Sequence, residues 1–165
     1  MEIRNTRVDE LDTVMKIYDR GRQVMRNSGN LNQWINGYPA RQMISEDIKN
    51  GWSFVLSDEE EIYAVFSLIG GEDPTYKYIE DGAWLNDEPY MTIHRIASSG
   101  LMRRASDLCY DWSMTRTDNL RIDTFQDNKI MQHVLERNGF VRCGTIYIED
   151  GSPRIAYQKV KEWKR

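Results

Sequence analysis

Histidine, cysteine and proline are scarce in this 165-residue chain, at two, two and four copies. Cys109 and Cys143 are too few for the disulfide framework of a small secreted domain, so both read as reduced packing residues of a cytoplasmic protein. His94 and His133 stand apart from any cysteine or carboxylate cluster, and no metal site is expected. Long apolar runs are missing too. None approaches the ~20 residues that span a bilayer, and the opening MEIRNTRVDE has no signal-peptide core, so no membrane partner is expected. Positive charge is not in excess: 22 Lys and Arg against 26 Asp and Glu leave −4, which argues against nucleic acid as the partner. Repeats, low-complexity tracts and linkers are absent, and the length suits one domain over residues 1–165 with a real core.

What is present is a clear succession of patterns. EIRNT reads as an opening strand, and Thr6 with Asp9 has the spacing of a capping box. Leu11, Val14, Met15, Tyr18 and Met25 recur at helical spacing, which predicts a helix over 8–27. NSGNLNQWINGYP is loop chemistry, and a second helix follows Pro39 and ends near Asn50-Gly51. WSFVL and IYAVFSLI, joined by SDEEE, predict an antiparallel hairpin. A loop of about twenty residues, GGEDPTYKYIEDGAWLNDEP, comes next; loops that long are usually functional. YMTIHRIA is a strand, and Leu101, Ala105, Leu108 and Trp112 mark one face of a following helix. LRIDTF is a strand, and QDNKIMQHVLERNGF a helix capped by Asp127 or Asn128 and ended by Gly139. VRCGTIYIE and RIAYQKV are strands about the turn DGSP. The order β-α-α-β-β-β-α-β-α-β-β makes a mixed α/β domain.

Within it, MTIHRIA, the turn SSG and the helix-like LMRRASDLCYDW form a strand, turn and helix N-terminus, a device that holds phosphate. The element order resembles the GCN5-related N-acetyltransferase (GNAT) family, most specifically in the C-terminal half with this device and DNKIMQHVLERNGF, and the stretches NQWINGYP, GAWLNDEPYMTIHRIASSG and IYIEDGSPRIAYQK resemble a bacterial subgroup of unassigned substrate. The resemblance covers essentially the whole chain. It implies an α/β fold whose mostly antiparallel sheet is flanked by helices, with MTIHRIA and LRIDTF splayed as a central pair. It also implies that the pantetheine arm of acetyl-CoA bonds to the backbone at Ile96 and Ala97, beside Asn128. The pyrophosphate would rest on the N–H groups of Leu101, Met102, Arg103, Arg104, Ala105 and Ser106. The implied reaction is direct attack by a primary amine of a small or amino-acid-like acceptor on acetyl-CoA, without metal. Homodimers are common in this fold class, so a homodimer is expected.

Two departures from the family pattern stand out. The turn is usually Gln/Arg-x-x-Gly-x-Gly/Ala, whereas here it reads LMRRAS, with Arg104 at the first glycine. Two readings are open: both arginines clamp the phosphates, or Arg103 pairs with Asp107 and both face water. An arginine with ordinary helical angles would still offer its N–H. The tyrosine that many members use as the acid toward the departing sulfur is here Leu135. An acyl-CoA-binding module with little or no turnover is therefore the alternative function. For the chemistry, His94 on the splayed strand is a candidate base, Glu88 a second, and Tyr147 a candidate acid. Strand alternation puts Thr92, His94 and Ile96 on one face. Trp34, Tyr38 and Trp84, in loops, are expected to rim the acceptor side.

Overall fold

A computed structural model describes residues 1–161. The elements run β1 (Glu2–Asn5), α1 (Leu11–Asn27), α2 (Arg41–Lys49), β2 (Ser53–Ser57), β3 (Ile62–Gly70), β4 (Met91–Ser98), α3 (Ala105–Ser113), β5 (Asn119–Thr124), α4 (Lys129–Arg137), β6 (Val141–Tyr147) and β7 (Pro153–Val160). The strands form one sheet in the order β1-β2-β3-β4-β5-β7-β6. Every neighbouring pair is antiparallel except β4–β5.

The sheet buries two faces. On one, Ala105, Cys109 and Tyr110 of α3 and Leu135 of α4 pack on Phe66, Ile93, Leu120, Ile122 and Tyr157. On the other, Val14, Ile17 and Tyr18 of α1 and Ile44 of α2 cover Val55, Val65 and Ala97. The helices cover only the β2–β4 part of that second face. Over β6 and β7 the cover is the long loop 71–90, whose Tyr76 packs with Ile146 and Ala156. Trp84 donates its indole N–H to the Tyr76 carbonyl at 2.8 Å. The Arg121 guanidinium lies 4.1 Å from the Trp84 ring centre and 3.9 Å from that of Tyr90. The loop is thus a wall of the molecule, as its aromatic content requires.

Close backbone approach makes this wall possible. Glu80 bridges Thr145 as an added strand rung. At Gly82 a Cβ would stand 1.9 Å from the Cys143 carbonyl oxygen, and at Gly144 one would stand 2.5 Å from the Glu80 carbonyl oxygen. Gly82→Ala is therefore expected to cost about 1–3 kcal/mol by pushing the loop off β6, read as a lower midpoint in urea unfolding.

Three local expectations need correction. The Thr6–Asp9 capping box does not form: Thr6 Oγ1 bonds Ser53 Oγ at 2.7 Å, and the Glu10 carboxylate accepts the Arg7 N–H at 2.8 Å. The third helix begins at Ala105 rather than Leu101, because Arg104 before it is left-handed at φ 57°. Its buried set is Ala105, Cys109, Tyr110 and Ser113, while Leu101 and Leu108 are exposed. Finally, β4 does not alternate strictly. Ser67 pairs with His94 and Val65 with Ala97, so three steps on β4 face two on β3, and Arg95 sits at φ 53°. This bulge turns both Ile93 and Ile96 to the α3/α4 face.

Candidate active site

β4 and β5 touch only at Met91–Leu120 and Thr92–Arg121, although β4 continues to Ser98 and β5 to Thr124. Beyond Thr92, then, the β5-facing edge of β4 has no strand partner among the described residues, and the two strands make a V that opens toward their C-terminal ends. The slot continues into a cleft of about 160 Å³ between α1 and α4. Ile96, Ala97, Ser106 and Asn128, four of the expected cofactor residues, line it together with Trp34 and Met131. Thr124, the last residue of β5, is 1 % exposed, and its hydroxyl has no partner among the described residues. A buried orphan hydroxyl at the mouth of an unzipped strand pair fits an extended polar ligand that bonds along both edges.

The turn at residues 99–104 enters α3 through the left-handed Arg104. Arg104 therefore lacks the ordinary helical angles expected of it; it adopts the conformation that glycine reaches without strain, at a cost of about 1–2 kcal/mol. The Arg103–Asp107 pair does not form. Asp107 is taken instead by Arg137 Nη2 at 2.6 Å and Asn138 Nδ2 at 3.0 Å, both from the α4 end. Arg103 and Arg104 are exposed and, among the described residues, have no ion-pair partner. Ala105 is buried in the core and Met102 packs against it, while Leu101 is exposed. Sequence reasoning missed Arg20, which lines the cleft from α1 and donates to the Ser98 carbonyl at 2.9 Å. Its guanidinium is so close to Gly100 that a Cβ there would meet Nη2 at 2.4 Å. Three arginines thus surround the N-terminal end of α3.

Asn128 caps α4 by accepting the Met131 N–H at 3.0 Å. Its amide also donates to Gln33 Oε1 at 2.9 Å, so the α1–α2 loop reaches across to α4. Trp34 in that loop packs on Tyr18 and Tyr38, with ring centres 5.7 and 6.3 Å apart.

On the α1/α2 face, the gap between the helices and loop 71–90 gathers charged and aromatic groups at the open end of the V. His94 Nε2 lies 3.1 Å from Asp73 Oδ2, and the other Asp73 oxygen accepts from Thr75 N and Oγ1 at 2.9 and 2.7 Å. Partial burial works against ionisation of Asp73, but the bonds from His94 and Thr75 outweigh it and hold its carboxyl down at about 2. The Asp73 carboxylate can accept a hydrogen bond from a proton-bearing Nε2, an arrangement that turns Nδ1 away from this contact. Next to this pair, Tyr76 donates to Asp123 Oδ2 at 2.6 Å, and burial pushes the Tyr76 phenol far above its ordinary value. From the helical side, Arg95 binds Asp47 Oδ2 through Nε and Nη2 at 2.9 and 2.8 Å, and reaches the Tyr38 hydroxyl at 3.3 Å.

The other expected residues lie elsewhere. Glu88 is exposed at the closed end of the V, where its carbonyl accepts from Asn119 Nδ2 at 3.1 Å. Tyr147 is on the sheet-edge strand β6, bonded to Glu80 and stacked on Tyr78. Trp84 packs on Tyr76 beneath the loop, with ring centres 5.1 Å apart. Leu135 is fully buried among apolar residues. Asp73, Asp123, Arg95 and Asp47 were missed; a charged residue inside an otherwise strand-like run was a signal for Arg95 and Asp123, whereas Asp47 on a helix and Asp73 in the long loop carried none.

This fold and its unzipped strand pair define an acyltransferase scaffold. An acetyltransferase of the GNAT family from Streptococcus agalactiae is 32% identical, with a TM-score of 0.90 over 98% of this chain and 96% of that one. The chain belongs to the GNAT family. Two more distant structures share the fold: a GNAT-family acetyltransferase from Listeria monocytogenes, 16% identical with TM-score 0.70 over 96% of this chain and 94% of that one, and a ribosomal-protein-alanine N-acetyltransferase from Brucella melitensis, 13% identical with TM-score 0.58 over 97% and 99%. No protein-family model and no curated protein sequence matches this chain.

Proposed function

We propose that this protein is an acetyl-CoA-dependent N-acetyltransferase acting on a primary amine of a small or amino-acid-like acceptor. The observation that carries this reading is the V between β4 and β5, with an apolar, Asn128-capped cleft on one side and the His94–Asp73 pair on the other. Acetyl-CoA supplies an activated acetyl group. Freed backbone groups at Ile96 and Ala97, together with Asn128 and Thr124, would hold its extended arm, and the N-terminal end of α3 with Arg20, Arg103 and Arg104 would receive its phosphates. His94 Nδ1 would take the proton from the acceptor ammonium, directly or through one water, leaving a free amine to form the new C–N bond as the C–S bond breaks; the nitrogen's second proton would pass to the departing thiolate or to solvent.

Calorimetry with acetyl-CoA and thiol release with a panel of amines test the proposal. Micromolar binding and turnover of at least one amine are expected; absence of binding heat at millimolar acetyl-CoA would refute it. One observation favours a second reading, an acyl-CoA-binding module: Leu135 leaves no hydroxyl at its position, so the departing thiolate has no acid there. Binding without thiol release across polyamines, amino acids and aminoglycosides would support that reading.

The turn makes its own prediction. Arg103→Ala with Arg104→Ala is expected to weaken CoA binding by about 1 kcal/mol or more. Arg104→Gly is expected to raise stability by about 1 kcal/mol through relief of the left-handed strain, with CoA affinity held or improved. Unchanged affinity in the double variant would reject the arginine clamp.

A further inference from the structure

Four arginines project from the sheet on the α1/α2 face. Arg4 and Arg95 are neutralised by Glu10 and Asp47. Arg121 lies between the Trp84 and Tyr90 rings with Nη2 bonded to the Asn86 carbonyl at 3.0 Å, and its buried Nε has no partner among the described residues. The fourth is Arg154. We propose that Arg154 receives a carboxylate of the acceptor, so that the amine acetylated here belongs to an amino acid or a similar amino-carboxylate. This assignment rests on the acetyltransferase reading above.

Strand register places Arg154. β7 lies beside β5 with Ile155 opposite Thr124 and Ala156 opposite Asp123. Ile155 packs under α3 and α4, and Ala156 packs on the other face. Alternation returns Arg154 to the face of Ala156 and Asp123, at the open end of the V. There its guanidinium carbon lies 4.4 Å from the centre of the Phe125 ring. It stands one residue beyond the Ile155–Thr124 pair, where β7 runs past the last residue of β5.

Its bonding leaves a recognition edge free. Only Nη1 is engaged, with Ser152 Oγ at 3.0 Å and the Pro153 carbonyl at 2.8 Å. Nε and Nη2 have no partner among the described residues, and no carboxylate there lies within ion-pair distance. Burial lowers its proton affinity, with Asp123 and Asp150 acting in the opposite sense, so the cation is partly desolvated and unmatched. A guanidinium whose Nε and Nη2 edge is open and whose face is fixed on an aromatic ring suits both oxygens of one carboxylate. Asp123 complements it: Oδ2 accepts from Tyr76, while Oδ1 accepts nothing among the described residues. An unmatched cation beside a half-satisfied carboxylate suits a ligand with both charges. A polyamine would match Asp123 but leave Arg154 facing another cation.

The test uses the CoA-loaded protein and does not require turnover. Calorimetric titration would compare N-acetyl-L-amino acids, spanning aliphatic, aromatic, acidic and basic side chains, with the corresponding amides. At least one acid is expected to bind, with its amide at least tenfold weaker. Arg154→Gln should weaken that acid tenfold or more and leave CoA affinity unchanged, which also shows that the variant is folded. Arg154→Lys should fall between the two. Equal binding of acid and amide, unaltered binding by Arg154→Gln, or no binding of any acid to CoA-loaded protein would overturn the assignment. Failure of CoA itself to bind would instead overturn the acetyltransferase reading, before any acceptor is added, and would take this assignment with it.

Discussion

Replacing Asp47 by alanine is expected to destabilise the protein by about 3–5 kcal/mol, the range for removing one partner of a buried ion pair. Asp47, on α2, is 3% exposed and accepts from Arg95 Nε, Arg95 Nη2 and Ser67 Oγ. Burial acts against the charge on Arg95, and Tyr38 and Asp47 more than compensate. Without Asp47 the guanidinium stays buried beside a phenol and a serine, neither of which neutralises it. The effect extends beyond a lost contact because Arg95 is the left-handed residue of the β4 bulge, and its carbonyl is held by the Tyr18 hydroxyl at 2.9 Å. Loss of the pair removes one of the two restraints on that strained backbone and leaves the Tyr18 bond alone. Urea unfolding should show a lower midpoint at unchanged slope, and the melting temperature should fall by roughly 10 °C for a domain of this size. Asp47→Ala combined with Arg95→Met should recover much of the loss, since an apolar replacement needs no counter-charge. A loss below about 1 kcal/mol in the single variant would contradict this account.

His94→Gln is expected to lower kcat/KM by about 10²–10⁴-fold, the usual worth of a positioned base, with acetyl-CoA affinity unchanged. Glutamine keeps a polar side chain near Asp73 but offers no basic nitrogen. Asp73→Asn should also lower kcat/KM, because it removes the carboxylate that accepts from Nε2. Asp73 makes a separate prediction in acid. Its folded-state value is lowered to about 2 from an ordinary 3.8. Its contribution to stability is therefore full at neutral pH, declines as pH falls below about 4, and is gone below about 2. The side chain is partly screened, so about 1–2 kcal/mol is at stake. Wild type should lose that much more stability than Asp73→Asn between pH 4 and pH 2, measured by urea unfolding at each pH. Equal losses would show that the bonds of Asp73 to His94 and Thr75 contribute nothing to stability.

The succession of elements was legible because each depends on patterns a few residues long. IYAVFSLI has strand composition wherever it lies, and Asn128 and Gly139 bracket α4 through capping chemistry that needs no tertiary partner. The start of α3 was misread because the register of LMRRASDL turns on one backbone angle: a left-handed Arg104 is set by the turn from β4 and not by local propensity. The face assignment on β4 failed for a related reason. A bulge is invisible in a single strand's alternation, since it is defined by the count against β3.

The site divides in the same way. Ile96, Ala97, Ser106 and Asn128 could be placed at the cleft because they lie on or beside regular elements whose order defines the family resemblance. Glu88, Trp84 and Tyr147 could not be placed, since the 71–90 loop decides their positions by packing on β6 and β7.

By itself the sequence determined the order of strands and helices, the cap and terminator of α4, the acidic balance and the family, because those follow from periodicity, composition and motif spacing along the chain. Only the tertiary structure decided that β4 and β5 part after Thr92, that His94 meets Asp73, and that Arg95 and Asp47 neutralise each other while Arg154 has no ion-pair partner among the described residues. Each of those facts concerns groups far apart in sequence whose distances depend on how the sheet, the helices and one long loop close together. Charges and hydrogen bonds act through those distances.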